Sequence, residues 1–267
     1  MPVSNSSPPT SQSDNDDVSD EDTQREDEIP INELFYSLQG EGKLAGTPSV
    51  FIRTSGCNLR CWFCDSYHTS WEPHGGMMHI EEIISKVESY EAADHVVITG
   101  GEPLIHEDIV PLINRLSDKN YHITVETNGT IHRNAEIDLA SISPKLASST
   151  PTPEKDPKGD GEWEEKHEKN RIDIDAMTDL ISTSDEYQLK FVVTGKEDMT
   201  EINTLVEDIA VACDTHISHT DVLLMPEGMT QDDLTETRST VADIALEHGY
   251  QYTPRLHVNL WNDAPES

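Results

Sequence analysis

Basic residues are scarce in this chain of 267 residues: 18 Lys and Arg stand against 52 Asp and Glu, a formal charge of −34 at pH 7. Without a basic face there is no electrostatic footprint for a nucleic acid, so a large DNA or RNA interface is excluded. Self-repulsion on this scale destabilises a compact state unless it is screened, and at about 1 M salt the Debye length falls to ~3 Å. The acidic residues run along the whole chain, and they imply a cytoplasmic protein adapted to a molar-salt interior. Also missing are an apolar run of about 18 residues and a basic, apolar N-terminus, so neither a membrane span nor a signal peptide is expected. Cysteine is the last scarcity: there are four, and Cys57, Cys61 and Cys64 crowd into eight positions. That pattern suits a reducing compartment and a metal, and it argues against a disulfide framework.

What the chain does have is an alternation of two kinds of segment. SVFIRT, HVVITGG, YHITVET, LASISPK, YQLKFVVTG, DVLLMPEG and RLHVNLW are short, β-branched and bounded by Gly, Pro or polar residues, and they predict strands. IEEIISKVESY, EDIVPLINRLSD, IDAMTDLIST, MTEINTLVEDIAVAC and DLTETRSTVADIALEHG carry apolar residues at helical spacing. Strand alternating with helix means βα units and a mainly parallel sheet, since parallel strands require crossovers. The expected fold is therefore α/β, a partial, open βα barrel. Residues 1–28, rich in Ser, Pro, Asp and Glu, predict a disordered acidic tail ahead of one domain over 29–267. Within that domain 147–171 reads as a polar surface insertion, and no internal repeat is present.

Several polar groups fall just after strands: Gly100-Gly101-Glu102-Pro103, Thr127-Asn128-Gly129, Pro144-Lys145 and Pro226-Glu227-Gly228. The C-terminal ends of parallel strands are where such folds bind ligands. The cysteines also follow a strand, through a Gly56 turn, as C-x3-C-x2-C. Three soft thiolates on one loop select zinc or an iron–sulfur cluster. Zinc closes as a structural site with His68 or His74 as fourth ligand, and the chain is then a zinc-stabilised interaction module. A [4Fe-4S] cluster normally takes four cysteines, so with three supplied one iron keeps an open position for a small chelating molecule. Cys213, far along in IAVACDTH, reads as a small buried helix residue.

C-x3-C-x2-C with Trp62-Phe63 in its second gap, followed by ITGGEP after the next strand, resembles the signature of radical S-adenosylmethionine (SAM) enzymes. FYSLQGEGKLAGTPSVFIRTSGCNLRCWFCDS, VETNGT, ISPK, QLKFVV and RLHVNLW are similar to the 7-carboxy-7-deazaguanine synthase family within that group. The resemblance spans about residues 29–261 and leaves out the tail and the 147–171 segment. It implies a partial βα barrel of the radical SAM type, mainly parallel, with Cys57, Cys61 and Cys64 holding a [4Fe-4S] cluster and SAM on the open iron. It implies a lyase reaction in which 6-carboxy-5,6,7,8-tetrahydropterin becomes 7-carboxy-7-deazaguanine with loss of ammonia and regeneration of SAM. The product is a precursor of the 7-deazaguanine bases of tRNA, archaeosine or queuosine. A ferredoxin- or flavodoxin-like electron donor, Mg2+ and a homodimer are implied as well. A radical SAM activase of a glycyl-radical partner shares the cysteine spacing and is the alternative within the superfamily.

Residue by residue, the resemblance assigns Leu38, Gln39 and Gly40 to the pterin, and Arg53, a bidentate donor, to its carboxylate. Thr99 meets substrate. Phe63, Cys64, Asp65, Gly101, Glu102, Ser143, Pro144, Lys145 and Gln188 contact SAM, with Glu102 accepting from its ammonium. Ser66 supplies an oxygen to Mg2+, a hard ion that wants such ligands. Lys190 is a weaker analogue, Glu126 and Asn128 shape the floor, and His257 lines the pocket. Of the other histidines, His167 and His219 stand in acidic surface contexts.

Overall fold

The computed structural model describes residues 27–262. The acidic tail up to residue 26 and the last five residues lie outside the described residues, while Glu28 already belongs to a strand. Nine strands form one sheet: β1 (Glu28–Leu38), β2 (Pro48–Thr54), β3 (Gly76–His79), β4 (His95–Gly100), β5 (His122–Thr127), β6 (Leu139–Ile142), β7 (Glu186–Val193), β8 (Val222–Pro226) and β9 (Gln251–Tyr252). Their spatial order is β3-β1-β2-β4-β5-β6-β7-β8-β9. From β2 to β9 every neighbouring pair is parallel, and β1 pairs antiparallel with both β2 and β3. The sheet does not close among the described residues, which makes it a partial, open βα barrel as expected.

The main crossovers are α2 (Ile80–Glu88), α3 (Ile109–Ser117), α5 (Ile174–Thr183), α6 (Met199–Ala212) and α7 (Gln231–His248); shorter helices are α1 (Tyr67–Ser70), α4 (Glu164–Asn170) and α8 (Leu256–Trp261). Their ends are set by local chemistry. Asp173 accepts from the Ala176 N–H at 2.9 Å to start α5. Thr230 and Asp233 form a reciprocal capping box at α7, which Gly249 closes in the left-handed conformation at φ 71°. Each long helix buries one apolar face, for instance Leu112, Ile113 and Leu116 on α3, against one continuous core under the sheet.

Four expectations are corrected here. RLHVNLW is helix α8, not a strand. Strand β9 pairs with β8 over two residues only, Pro254 has no N–H to extend it, and the chain turns so that Leu256 N–H reaches Gly40 O at 2.8 Å. His167 is fully buried rather than superficial, and Ser149, Thr150 and Asp156 of the same segment are buried with it. Cys213 caps α6 half-buried against the core instead of lying within the helix. Strands β1 and β3, absent from the sequence reading, extend the sheet beyond the expected units. No helix among the described residues is long and apolar enough to cross a membrane.

Candidate functional site

Side chains alternate across a strand, so the residues between core positions face the other way. Val50 and Ile52, Val96 and Ile98, Ile123 and Val125, and Leu189 and Phe191 enter the core under the helices. The opposite parity brings Arg53, Thr99, Glu126 and Lys190 into one cleft of about 770 Å3 at the C-terminal ends of the strands. On the same face, beneath an apolar cluster of Phe35, Phe51 and Val97, the lining is polar and closed. His95 sits between Ser49 Oγ at 2.6 Å and Thr124 Oγ1 at 2.8 Å, and burial, reinforced by His122, pushes it down to about 4.

The cysteine loop forms the upper wall. It leaves β2 through Gly56 at φ 104°, and Glu102 N–H and Thr69 O tie down that turn at 2.9 and 2.8 Å. Cys57, Cys61 and Cys64 all line the cleft and none is disulfide-bonded. Burial raises all three thiols, Cys61 to about 12, because an ionised sulfur here has little solvent. Partial relief comes from Leu59 N–H on Cys57 Sγ at 3.4 Å and Ser70 Oγ–H on Cys64 Sγ at 3.1 Å. A cation that coordinates the sulfurs removes that penalty, which is how metal sites deprotonate cysteine. Gly101 fits the loop closely: a Cβ there would lie 2.3 Å from Gly56 O and 2.7 Å from Cys57 Cβ. Donor type, burial and this close approach fit an iron–sulfur cluster bound by three thiolates. Among the described residues no group of three or more His, Cys, Asp or Glu is gathered for a single ion. His68 lines the cleft, but its Nε2 lies 3.8 Å from Glu33, and His74 is exposed and away from it.

Most of the expected site residues meet in this cleft: Leu38, Gln39, Gly40, Arg53, Phe63, Asp65, Ser66, Thr99, Gly101, Ser143 and Lys145, together with Glu126, Asn128, Lys190 and His257. Three do not. Gln188 lies beneath, its amide donating to Ser141 Oγ at 2.7 Å and its carbonyl accepting from Lys43 N–H at 2.8 Å, so it has no face left for a ligand. Pro144 is absent from the lining. Glu102 is fully buried, and its carboxylate accepts from Leu104 N–H, Thr127 Oγ1–H and Asn128 N–H at 3.1, 2.9 and 2.6 Å. Burial pushes it up to about 7 despite those bonds. It fastens the Gly-Gly turn to β5 from behind.

Charges decide the rest of the cleft. Lys190 Nζ, with 4% of its side chain exposed, lies 2.7 Å from both Glu41 and Glu126. Arg255, equally buried, pairs with Glu41 at 3.2 Å and with Asp65, and donates to Gly228 O at 2.6 Å. Burial alone raises Glu41, yet Lys190 and Arg255 hold it well below the usual carboxylate range. Asp65 is lowered, Arg255 overcoming the same penalty. Sequence reasoning missed Arg255 and Glu41 as site residues. The signal for Arg255 was its scarcity as a basic residue, but its partners lie up to 214 positions away. Arg53 packs over Phe35 at 5.7 Å, approaches Glu33 at 2.8 Å without hydrogen-bond alignment, and donates to Ser66 Oγ at 2.8 Å. With a guanidinium on its hydroxyl, Ser66 does not fit an Mg2+ ligand in this arrangement.

Comparison with known proteins bears on this cleft. The Radical SAM superfamily model matches residues 51–151, from β2 through the cysteine loop to the start of the 147–171 segment. The chain is 66% identical over 239 residues to the 7-carboxy-7-deazaguanine synthase of Halobacterium salinarum, covering 90% of this chain and 93% of that one. The chain belongs to the 7-carboxy-7-deazaguanine synthase family. The member from Rhodopirellula baltica is 42% identical, over 87% of this chain and 86% of its own. The crystal structure of QueE from Escherichia coli shares the fold, with a TM-score of 0.58 over 86% of this chain and 95% of that one at 23% identity. Family membership makes this chain a radical SAM enzyme, and for such an enzyme the [4Fe-4S] cluster and SAM follow.

Proposed function

We propose that this chain converts 6-carboxy-5,6,7,8-tetrahydropterin to 7-carboxy-7-deazaguanine with loss of ammonia. The observation that carries the reading is one cleft in which three clustered thiols, Cys61 buried and Cys57 and Cys64 half-buried, and Arg53 face a paired-carboxylate floor. Cys57, Cys61 and Cys64 would hold the [4Fe-4S] cluster, which together with SAM would supply hydrogen-atom abstraction and return at the substrate. Every other task falls to the protein. Arg53 presents its guanidinium to the substrate carboxylate, exchanging the Ser66 hydroxyl for a charged acceptor. Lys190 and Arg255 keep Glu41 ionised, and Glu41 and Glu126, both paired with Lys190, accept from the N–H edge of the pterin, while the Leu38–Gly40 backbone reads the adjoining polar edge. Gly40 is the close point of that wall, because a Cβ there would lie 1.9 Å from His257 Nδ1. Lys145, held at 2.7 Å by Ser143 Oγ, offers a cation to the SAM carboxylate beside Gly101 and Phe63. Leu59, Phe63, Met225 and Val258 supply apolar walls that keep water from the reacting carbon.

The Mg2+ that the resemblance gives to Ser66 finds no fitting ligand there while Arg53 holds the hydroxyl, so no task in this reading depends on the ion. The reading includes a low-potential one-electron donor of the ferredoxin or flavodoxin type, a homodimer, and a cytoplasm of molar salt, the last supported by the charge of −34. The test is an anaerobic assay in high-salt buffer with reconstituted protein, dithionite, SAM, Mg2+ and the carboxytetrahydropterin. Deazaguanine product without matching net loss of SAM is expected. SAM cleavage that leaves the pterin untouched refutes the substrate assignment.

A further inference from the structure

The segment 147–171 has no part in the reaction described so far, yet it makes several contacts to the cysteine loop from outside the cleft. His167 on α4 is fully buried, and its Nδ1 accepts from the peptide N–H of Arg60 at 3.1 Å. A peptide N–H only donates, so Nδ1 is bare and Nε2 carries the proton. That proton goes to Ser149 Oγ at 3.0 Å, and the Ser149 hydroxyl in turn reaches Leu146 O at 2.6 Å. The Ser149 carbonyl accepts from Trp62 N–H at 3.1 Å, and the Ser148 carbonyl accepts from the Trp62 indole at 2.8 Å. Both peptide N–H groups flanking Cys61, those of Arg60 and Trp62, therefore end on this segment. A further tie is the Arg60 guanidinium, which stacks 4.2 Å from the Trp163 ring while donating to Cys57 O at 2.7 Å.

We propose that 147–171 is a clamp on the cluster-binding loop and that His167 is its positioning residue: anchored by the Ser149 hydroxyl, it fixes the peptides on either side of Cys61 and keeps their N–H groups occupied, setting how readily the bound cluster accepts an electron. The proposal rests on the functional reading above, since it concerns the cluster held there. Partners around ligand sulfurs and the hydrogen bonds they donate tune an iron–sulfur centre's reduction potential. A peptide N–H released from the clamp is free to donate to the cluster's sulfurs and stabilises the more negative, reduced state.

The experiment uses the full chain, reconstituted anaerobically in molar salt, with Ser149→Ala, His167→Phe and His167→Asn. Iron and sulfide content, the electron paramagnetic resonance spectrum of the reduced cluster with and without SAM, and the midpoint potential are read alongside thermal stability. Ser149→Ala removes the acceptor of His167 Nε2–H and loosens its hold on Arg60 N–H, and it is expected to shift the reduction equilibrium about three- to tenfold toward the reduced cluster, which for one electron is about 28–59 mV. His167→Phe should shift it at least as far and alter the spectrum. His167→Asn, whose Oδ1 can still accept from Arg60 N–H, should recover part of the change. Wild-type potential and spectrum in both Ser149→Ala and His167→Phe, at normal iron content, overturn the clamp even if both variants melt earlier. Should His167→Phe fail to fold, Ser149→Ala decides alone by the same potential. A wild-type protein that binds no cluster takes down the functional reading and the clamp together, which separates the two failures.

Discussion

Replacing Lys190 by Met tests whether the cleft floor is organised by charge. Nζ lies 2.7 Å from Glu41 and from Glu126, with 4% of the lysine side chain and 16% of each glutamate side chain exposed. Met keeps the length and the apolar stem but leaves two carboxylates facing each other. Removing one partner from a buried ion pair costs about 3–5 kcal/mol. The glutamates keep some contact with cleft water and Glu41 keeps Arg255, so the expected loss is discounted to about 2–3 kcal/mol at pH 7. That is a factor of about 30–150 in the folding equilibrium. The pH dependence has a definite sign. Glu41 is depressed in the fold, so its contribution is present above the unfolded carboxylate value near ~4.3 and is lost as pH falls toward the folded value. Without Lys190 Glu41 rises, and protonating it relieves the repulsion. The deficit of the variant should therefore shrink between pH 7 and 5. Denaturant unfolding of both proteins in molar salt, where long-range repulsion is screened, measures it. A loss below about 1 kcal/mol, or one that stays constant over that pH range, would refute the reasoning.

Other perturbations follow from the same geometry. Cys61→Ala should keep the fold but lose the cluster and turnover, seen as iron content and product; normal turnover would sink the assignment of the thiols. Gly101→Ala forces a Cβ to within 2.3 Å of Gly56 O, so β4 and the cysteine loop must part, and cluster content should fall several-fold with little change in helix signal. Acidification from pH 6.5 to 4.5 should destabilise the protein. Burial pushes His95 and His167 down to about 4, so the unfolded chain binds protons there that the fold refuses, while Glu102, pushed up to about 7, opposes them with a single proton. Stability that rises on acidification would contradict those assignments. Finally, raising salt from about 0.1 M to 1 M should raise the melting temperature, since the screening length drops from ~10 Å to ~3 Å; a flat response would argue against adaptation to molar salt.

Much of the site was legible because it is written in short spacings. C-x3-C-x2-C, GGEP after the next strand and Arg53 at the end of β2 are local patterns, and strand parity carries them to the same face. Gln188 and Glu102 were misread for the converse reason. Parity puts Gln188 on the right face, but only the packing shows that it lies one layer too deep and is used up by Ser141 and Lys43. Glu102 follows the glycines in sequence, yet its carboxylate turns back to Thr127 and Asn128.

By itself, then, the sequence determined the alternation of strand and helix, the placement of the thiols after a strand, and the acidic surface. These depend on periods and on composition, which one dimension holds in full. Only the tertiary structure decided that Arg255 and Lys190 polarise the cleft, that RLHVNLW coils into a helix, and that His167 is buried against Arg60. Those outcomes depend on pairings between residues 64 to 214 positions apart, as in Lys190 with Glu126, Arg60 with His167 and Glu41 with Arg255. No local pattern encodes which distant partner will be within reach once the sheet has curved.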